Sequence, residues 1–188
     1  MYQDCKGLVT VGVGNLIDTV SEACKLPFVH TDGTPATSAE IAAEWYTIKH
    51  TPGLDKQGYK AAARLCKLHL TAEGMTSLVQ AKLASNWDFM CMRYPCFASA
   101  DTWPASAQLA ASLMAWAVGP GFPGIFKTWS TFAARADWNG CAITCEINAT
   151  GNPGVIPRNK AVKALFLLAV IQPASDYDKL VVSSDLIS

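Results

Sequence analysis

Met1-Tyr2-Gln3-Asp4-Cys5-Lys6-Gly7-Leu8-Val9-Thr10-Val11-Gly12-Val13-Gly14-Asn15 opens the chain, and its reading decides the rest. Tyr2, Asp4, Gly7, Thr10, Gly12 and Gly14 stand at offsets that neither a helical nor a strand period requires. The β-branched run from Val9 to Val13 alternates as a strand would, and Gly7 fits the turn that feeds it. With Gly7 turning a hairpin, the Asp4 carboxylate and the Thr10 hydroxyl are expected to face each other across it. Such a pair can hold or activate a water, while side-chain-free Gly12 and Gly14 let a ligand approach the backbone. The plain alternative is a hairpin whose Asp4 caps its own turn, since Asp is a favoured turn residue. A nucleotide loop fits less well, because Gly12-Val13-Gly14 lacks a third glycine and a following helix.

With 188 residues, the chain has the size of one domain or of two lobes sharing a core. Hydrophobic residues make up 51% and charged ones only 16%, which is ample material for a buried interior. Fifteen basic residues balance fifteen acidic ones, and no basic stripe appears. This argues against a nucleic-acid partner bound by phosphate neutralisation. The first residues are polar and lack the cationic start and apolar core of a signal peptide, so synthesis in a cytoplasm is expected. Ala164–Ile171, the longest apolar run, falls far short of the roughly 18 residues a membrane span needs, so no membrane insertion is expected. The seven cysteines and the scattered His30, His50 and His69 show no zinc spacing. They read as reduced, mostly buried thiols and isolated imidazoles, with no metal.

Farther along, residues 16–20 can extend the sheet or turn, and residues 26–36 read as loop around Asp32-Gly33. Thr37-Ser38-Ala39-Glu40 is a capping box opening a helix with Ile41, Trp45 and Ile48 on one face, stopping before Pro52-Gly53. Residues 53–70 are ambiguous between helix tail and extended chain. Thr71 is expected to cap a long helix carrying Met75, Leu78, Val79, Leu83 and Trp87 inward and ending near Tyr94-Pro95. Pro104 suits the first turn of a helix reaching Val118 that is apolar almost all round, as the centre of a bundle would be. Helices are expected over about 125–135 and 138–149. The last helix starts near Pro157, with Ala161, Leu165 and Leu168 inward, and the tail carries a Leu180-Val181-Val182 patch. Glu40, Glu44, Glu73 and Glu146 read as surface or capping residues.

Three blocks make the chain resemble the bacteriophage-type lysozymes, the endolysins or muramidases. The first is Tyr2-x-Asp4-x-x-Gly7-x-x-Thr10-x-Gly12-x-Gly14, which is similar to that family's active-site hairpin. The second is Gln108–Gly119, with Met114-Ala115-Trp116-Ala117-Val118-Gly119 resembling its central buried helix. The third runs from Trp138 through the Asn152-Pro153-Gly154 turn and Arg158 to Leu165. In the family's order, the blocks span nearly the whole chain.

The resemblance implies an α+β, lysozyme-like fold in a single domain over 1–188. Its parts would be a small β-containing lobe (about 1–70), a helical lobe (about 71–175) entered through the long helix, and a tail (176–188). It implies cleavage of the bond between N-acetylmuramic acid and N-acetylglucosamine, with peptidoglycan glycan strands as partner and no cofactor. Asp4 matches the carboxylate that positions the attacking water, and Thr10 matches its partner hydroxyl. Tyr2, Gly14 and Asn15 would line the cleft between the lobes, and Asn15 replaces the histidine found in many members. Arg158 matches an arginine that pairs with the catalytic glutamate. That glutamate, the general acid, ends a short helix ahead of the hairpin and would fall before Met1. General-acid help is typically worth ~10²–10⁴ in rate, so weak activity is expected of these residues alone. The implied setting is bacterial wall degradation in phage lysis or entry, by a monomer or a virion component made in the host cytoplasm. The alternative is a catalytically degenerate module that binds glycan or builds a particle.

Overall fold

The structure is a computed structural model describing residues 1–171; the expected tail at 176–188 lies outside them. It is a mixed helical and antiparallel-sheet chain in which helix predominates, compatible with α+β. Two compact units divide it, Met1–Gln80 and the remainder from Ala81, later than the boundary expected at 70. Each unit holds its own cluster of buried hydrophobic residues.

In the first unit, β1 (Tyr2–Gln3), β2 (Val9–Val11) and β3 (Asn15–Leu16) form an antiparallel sheet in sequence order. Tyr2 pairs with Thr10, Gln3 with Val9, and Val11 with Asn15. Helix α1 (Val20–Ala23) follows at once. It is opened by a capping box in which the Thr19 hydroxyl accepts from Glu22 N–H and the Glu22 carboxylate accepts from Thr19 N–H. The expected loop at 26–36 contains a strand, β4 (Phe28–Val29), paired with β5 (His69–Leu70). Two residues carry no readable alternation; β4 is marked by that pairing and by a local bridge from Val29 to Pro35.

The Thr37–Glu40 box starts α2 (Ser38–His50) as expected, with Ile41, Trp45 and Ile48 buried. Helices α3 (Leu54–Gln57) and α4 (Tyr59–Ala63) fill the ambiguous stretch, joined through Gly58 at φ +73°. The long helix α5 (Ala72–Arg93) begins where the Thr71 hydroxyl accepts from Gly74 N–H at 3.1 Å. It ends at Tyr94, whose extended backbone (φ −121°, ψ 118°) is what a following proline demands. No helix among the described residues is long and apolar enough to cross a membrane.

The second unit packs α6 (Ala105–Val118), α7 (Phe122–Ile125), α8 (Lys127–Ala133), α9 (Trp138–Thr144) and α10 (Val155–Ile171). Helix α6 buries a stripe of small residues, Ala107, Ala110, Ala111 and Ala115, beside Met114; Leu109, Leu113, Trp116 and Val118 are half-buried. Small side chains let α10 come close. The expected helices at 125–135 and 138–149 are shorter, because Ala136 (φ +52°) breaks the chain and α9 stops at Cys145.

In α10 the buried set is Val155, Val162, Phe166 and Ala169; Leu165 is half-buried against the same cluster as expected, while Ala161 and Leu168 are exposed. The second half of the helix, Ala164–Ile171, is apolar on all sides and gives periodicity no single face to select. The choice falls to Phe166, which stacks on Trp138 at 6.3 Å. Trp138 in turn meets Trp103 at 5.1 Å, and Trp129 meets Phe122 at 4.8 Å.

Candidate active site

Asp4 sits at the β1–β2 turn, and the turn is built on its side chain. Its Oδ1 accepts from Lys6 N–H at 2.8 Å and from Leu8 N–H at 2.9 Å. Its backbone N–H donates to Leu8 O at 2.9 Å, and Gly7, at φ +72°, donates its N–H to Asp4 O. This is the capping role of an aspartate in a tight turn. The register places Thr10 opposite Tyr2, so carboxylate and hydroxyl do not confront each other as expected. Thr10 is only 4% exposed, and its hydroxyl donates to Tyr2 O at 3.3 Å.

Strand alternation nevertheless gathers three of the expected residues. Tyr2 and Asp4 are two apart and Thr10 is cross-paired with Tyr2, so all three belong to one face of the ribbon. Gln3, Val9 and Val11 take the other face and are buried. There Gln3 Nε2 donates to Ile48 O (2.8 Å) and Lys49 O (2.9 Å), tying the hairpin to the end of α2. Half-buried Asp4 keeps its second oxygen, Oδ2, without a hydrogen-bond partner among the described residues. That oxygen can orient a water.

The remaining expected residues are arranged differently. Gly12 (φ +60°) does not open the backbone to a ligand: a Cβ there would overlap the Met75 thioether, so the glycine makes room for Met75. Gly14 (φ +96°) is exposed on the β2–β3 turn. Asn15 is 6% exposed, held in the ladder opposite Val11, and does not offer an open contact surface. Arg158 belongs to the second unit, half-buried in the first turns of α10. Burial pushes its pKa down, and no carboxylate lies within ion-pair distance among the described residues.

Sequence reasoning missed two polar centres of the first unit. Asp18 Oδ1 accepts from Val9 N–H (2.8 Å) and from Lys49 Nζ (2.7 Å), which also donates to Gly7 O at 3.2 Å. Burial pushes the Asp18 carboxyl up, but the Lys49 and Val9 hydrogen bonds and the Lys49 charge outweigh it and hold the pKa below its usual value. Glu44, expected on the surface, is buried. Its Oε2 accepts from Lys67 N–H (2.6 Å) and Leu68 N–H (3.0 Å), while Oε1 is buried without a partner among the described residues. Neither Lys49 nor Glu44 carried a local signal. Only Asp18 did, standing beside the Thr19–Glu22 capping box.

All seven cysteines are free thiols. Burial pushes Cys141 and Cys145 well away from thiolate character, and Cys66 likewise. Among the described residues no three His, Cys, Asp or Glu side chains converge as a metal site. Comparison with protein-family models, curated proteins and solved structures finds no match.

Proposed function

We propose that this chain belongs to a peptidoglycan hydrolase of lysozyme-like α+β type, cleaving between N-acetylmuramic acid and N-acetylglucosamine. One observation supports the reading: Tyr2, Asp4 and Thr10 share a ribbon face, and turn N–H groups pin one Asp4 oxygen while the other is left for a water. A fixed carboxylate beside a developing oxocarbenium ion favours the transition state over the ground state. Asp4 is assigned to water positioning and Thr10 to holding the strand that faces it. Tyr2 and Gly14 are assigned to glycan contact on the motif alone.

Glu22, Glu40 and Glu44 are each committed to backbone N–H groups, so none of them is assigned as proton donor. That role is proposed for a glutamate at the end of a helix preceding the hairpin. The setting proposed is bacterial wall degradation by a protein made in the host cytoplasm. A second reading, a glycan-binding or virion module that does not cut, is favoured by the structural roles that Asp4 and Thr10 already fill.

The test is muropeptide release from purified peptidoglycan by this chain and by a version extended with a glutamate-ended helix, each with and without Asp4→Asn. The Asn carbonyl can still accept from Lys6 and Leu8, so the turn survives the change. The hydrolase reading expects reducing muramic ends from the extended protein, lowered about 10²-fold or more by Asp4→Asn. Glycan binding with no release from any version replaces it with the binding module. Release that ignores Asp4→Asn overturns the Asp4 assignment.

A further inference from the structure

The Gly12–Met75 contact carries an inference independent of any glycan chemistry. Gly12, Val13 and Gly14 connect β2 to β3, and the Met75 side chain from the first turn of α5 lies on Gly12 so closely that no Cβ fits. Both residues belong to the first unit. The connection is exposed and Met75 is half-buried, so the thioether stands at the edge of solvent. Of the other methionines, Met1 is half-buried too. Met90 and Met114 are 1% and 0% exposed, whereas Met92, on the second unit, is 81% exposed.

A thioether sulfur reacts with peroxides when it is reachable, and the sulfoxide formed is larger, polar and chiral. We infer that Met75 is an oxidation site at which sulfoxide formation releases the Gly12–Gly14 connection from α5. In the step, the sulfur lone pair attacks a peroxide oxygen and the O–O bond breaks. One oxygen forms the S=O bond and the other leaves as water, the sulfur being oxidised by two electrons and the peroxide reduced by two. The new oxygen has no room on the Gly12 side, because a single carbon already fails to fit there. The Met75 side chain must therefore leave Gly12, and the Gly12–Gly14 connection loses its contact with α5.

The experiment is a hydrogen peroxide titration of the full chain, with oxidation located by peptide mass spectrometry and amide hydrogen exchange followed over residues 11–17. Wild type is compared with Met75→Leu, which keeps the volume but cannot form a sulfoxide, and with Met92→Leu. Expected is sulfoxide at both Met75 and Met92. In wild type and Met92→Leu, exchange over 11–17 should be roughly tenfold faster, the signature of local opening. Met75→Leu should stay unchanged, and methionine sulfoxide reductases should restore slow exchange in wild type. Unchanged exchange at full Met75 oxidation overturns the inference. So does a Met75 that resists peroxide sufficient to oxidise Met92, or equal acceleration in Met75→Leu.

Discussion

Asp18 shows how far a single side chain reaches: it joins β2 to the last turn of α2 through Lys49, and both partners are about a quarter exposed. Its folded pKa lies below the unfolded value, so it adds stability above about pH 4 that is lost as pH falls through the folded value. Asp18→Asn should therefore lower stability near neutrality by about 1–3 kcal/mol and flatten the acid limb, read from urea midpoints across pH. Some acid slope should persist. Asp32 is also held low, chiefly by the Thr34 hydroxyl, and Glu40 chiefly by Thr37 N–H. Glu44→Ala should cost about 2–4 kcal/mol by the same measurement, because it strands the Lys67 and Leu68 N–H groups. A loss below about 0.5 kcal/mol would mean that water replaces the carboxylate there.

At the scale of elements, caps and steric fit decide. Thr19→Ala and Thr37→Ala each remove a reciprocal cap and should cost about 0.5–2 kcal/mol in thermal or urea unfolding. Gly140→Ala is the more telling change. Gly140 lies inside α9, where alanine would ordinarily gain about 1 kcal/mol of helix propensity. Its added Cβ would overlap the Phe132 ring from α8, so the net effect should be a loss of about 1–3 kcal/mol. A stabilised Gly140→Ala would show that Phe132 swings aside freely. Elements signalled by local chemistry were legible: the Thr37 and Thr71 starts, the stop at Pro95, and the hairpin around Gly7. Strand β4 was not, because two residues show no alternation and its ladder partner lies some forty residues away. The buried face of α10 was not either, since its second half, Ala164–Ile171, is apolar all round.

At the scale of the whole chain, two cores form separately, one around Val9, Phe28, Trp45 and Ile48, the other around an aromatic cluster centred on Trp129. Trp129 is fully buried and its Nε1 has no partner among the described residues, so Trp129→Phe gives up volume but also removes an unsatisfied donor. It should cost clearly less than Trp129→Ala, for which about 3–5 kcal/mol is expected, as urea unfolding of the two variants would read. Equal losses would mean that the indole nitrogen has found a partner.

Composition, capping boxes, prolines and the glycine-spaced opening were enough to place most helices and the first hairpin, because each depends on neighbours within a few residues. The same local reading set Asp4 against Thr10 across the hairpin, where the register pairs Thr10 with Tyr2 instead. It did not assign Asp4's carboxylate oxygens, bury Asn15, set Met75 on Gly12, or find Lys49 and Glu44. Those outcomes depend on which distant backbone groups arrive beside a side chain, and only the folded chain brings them together.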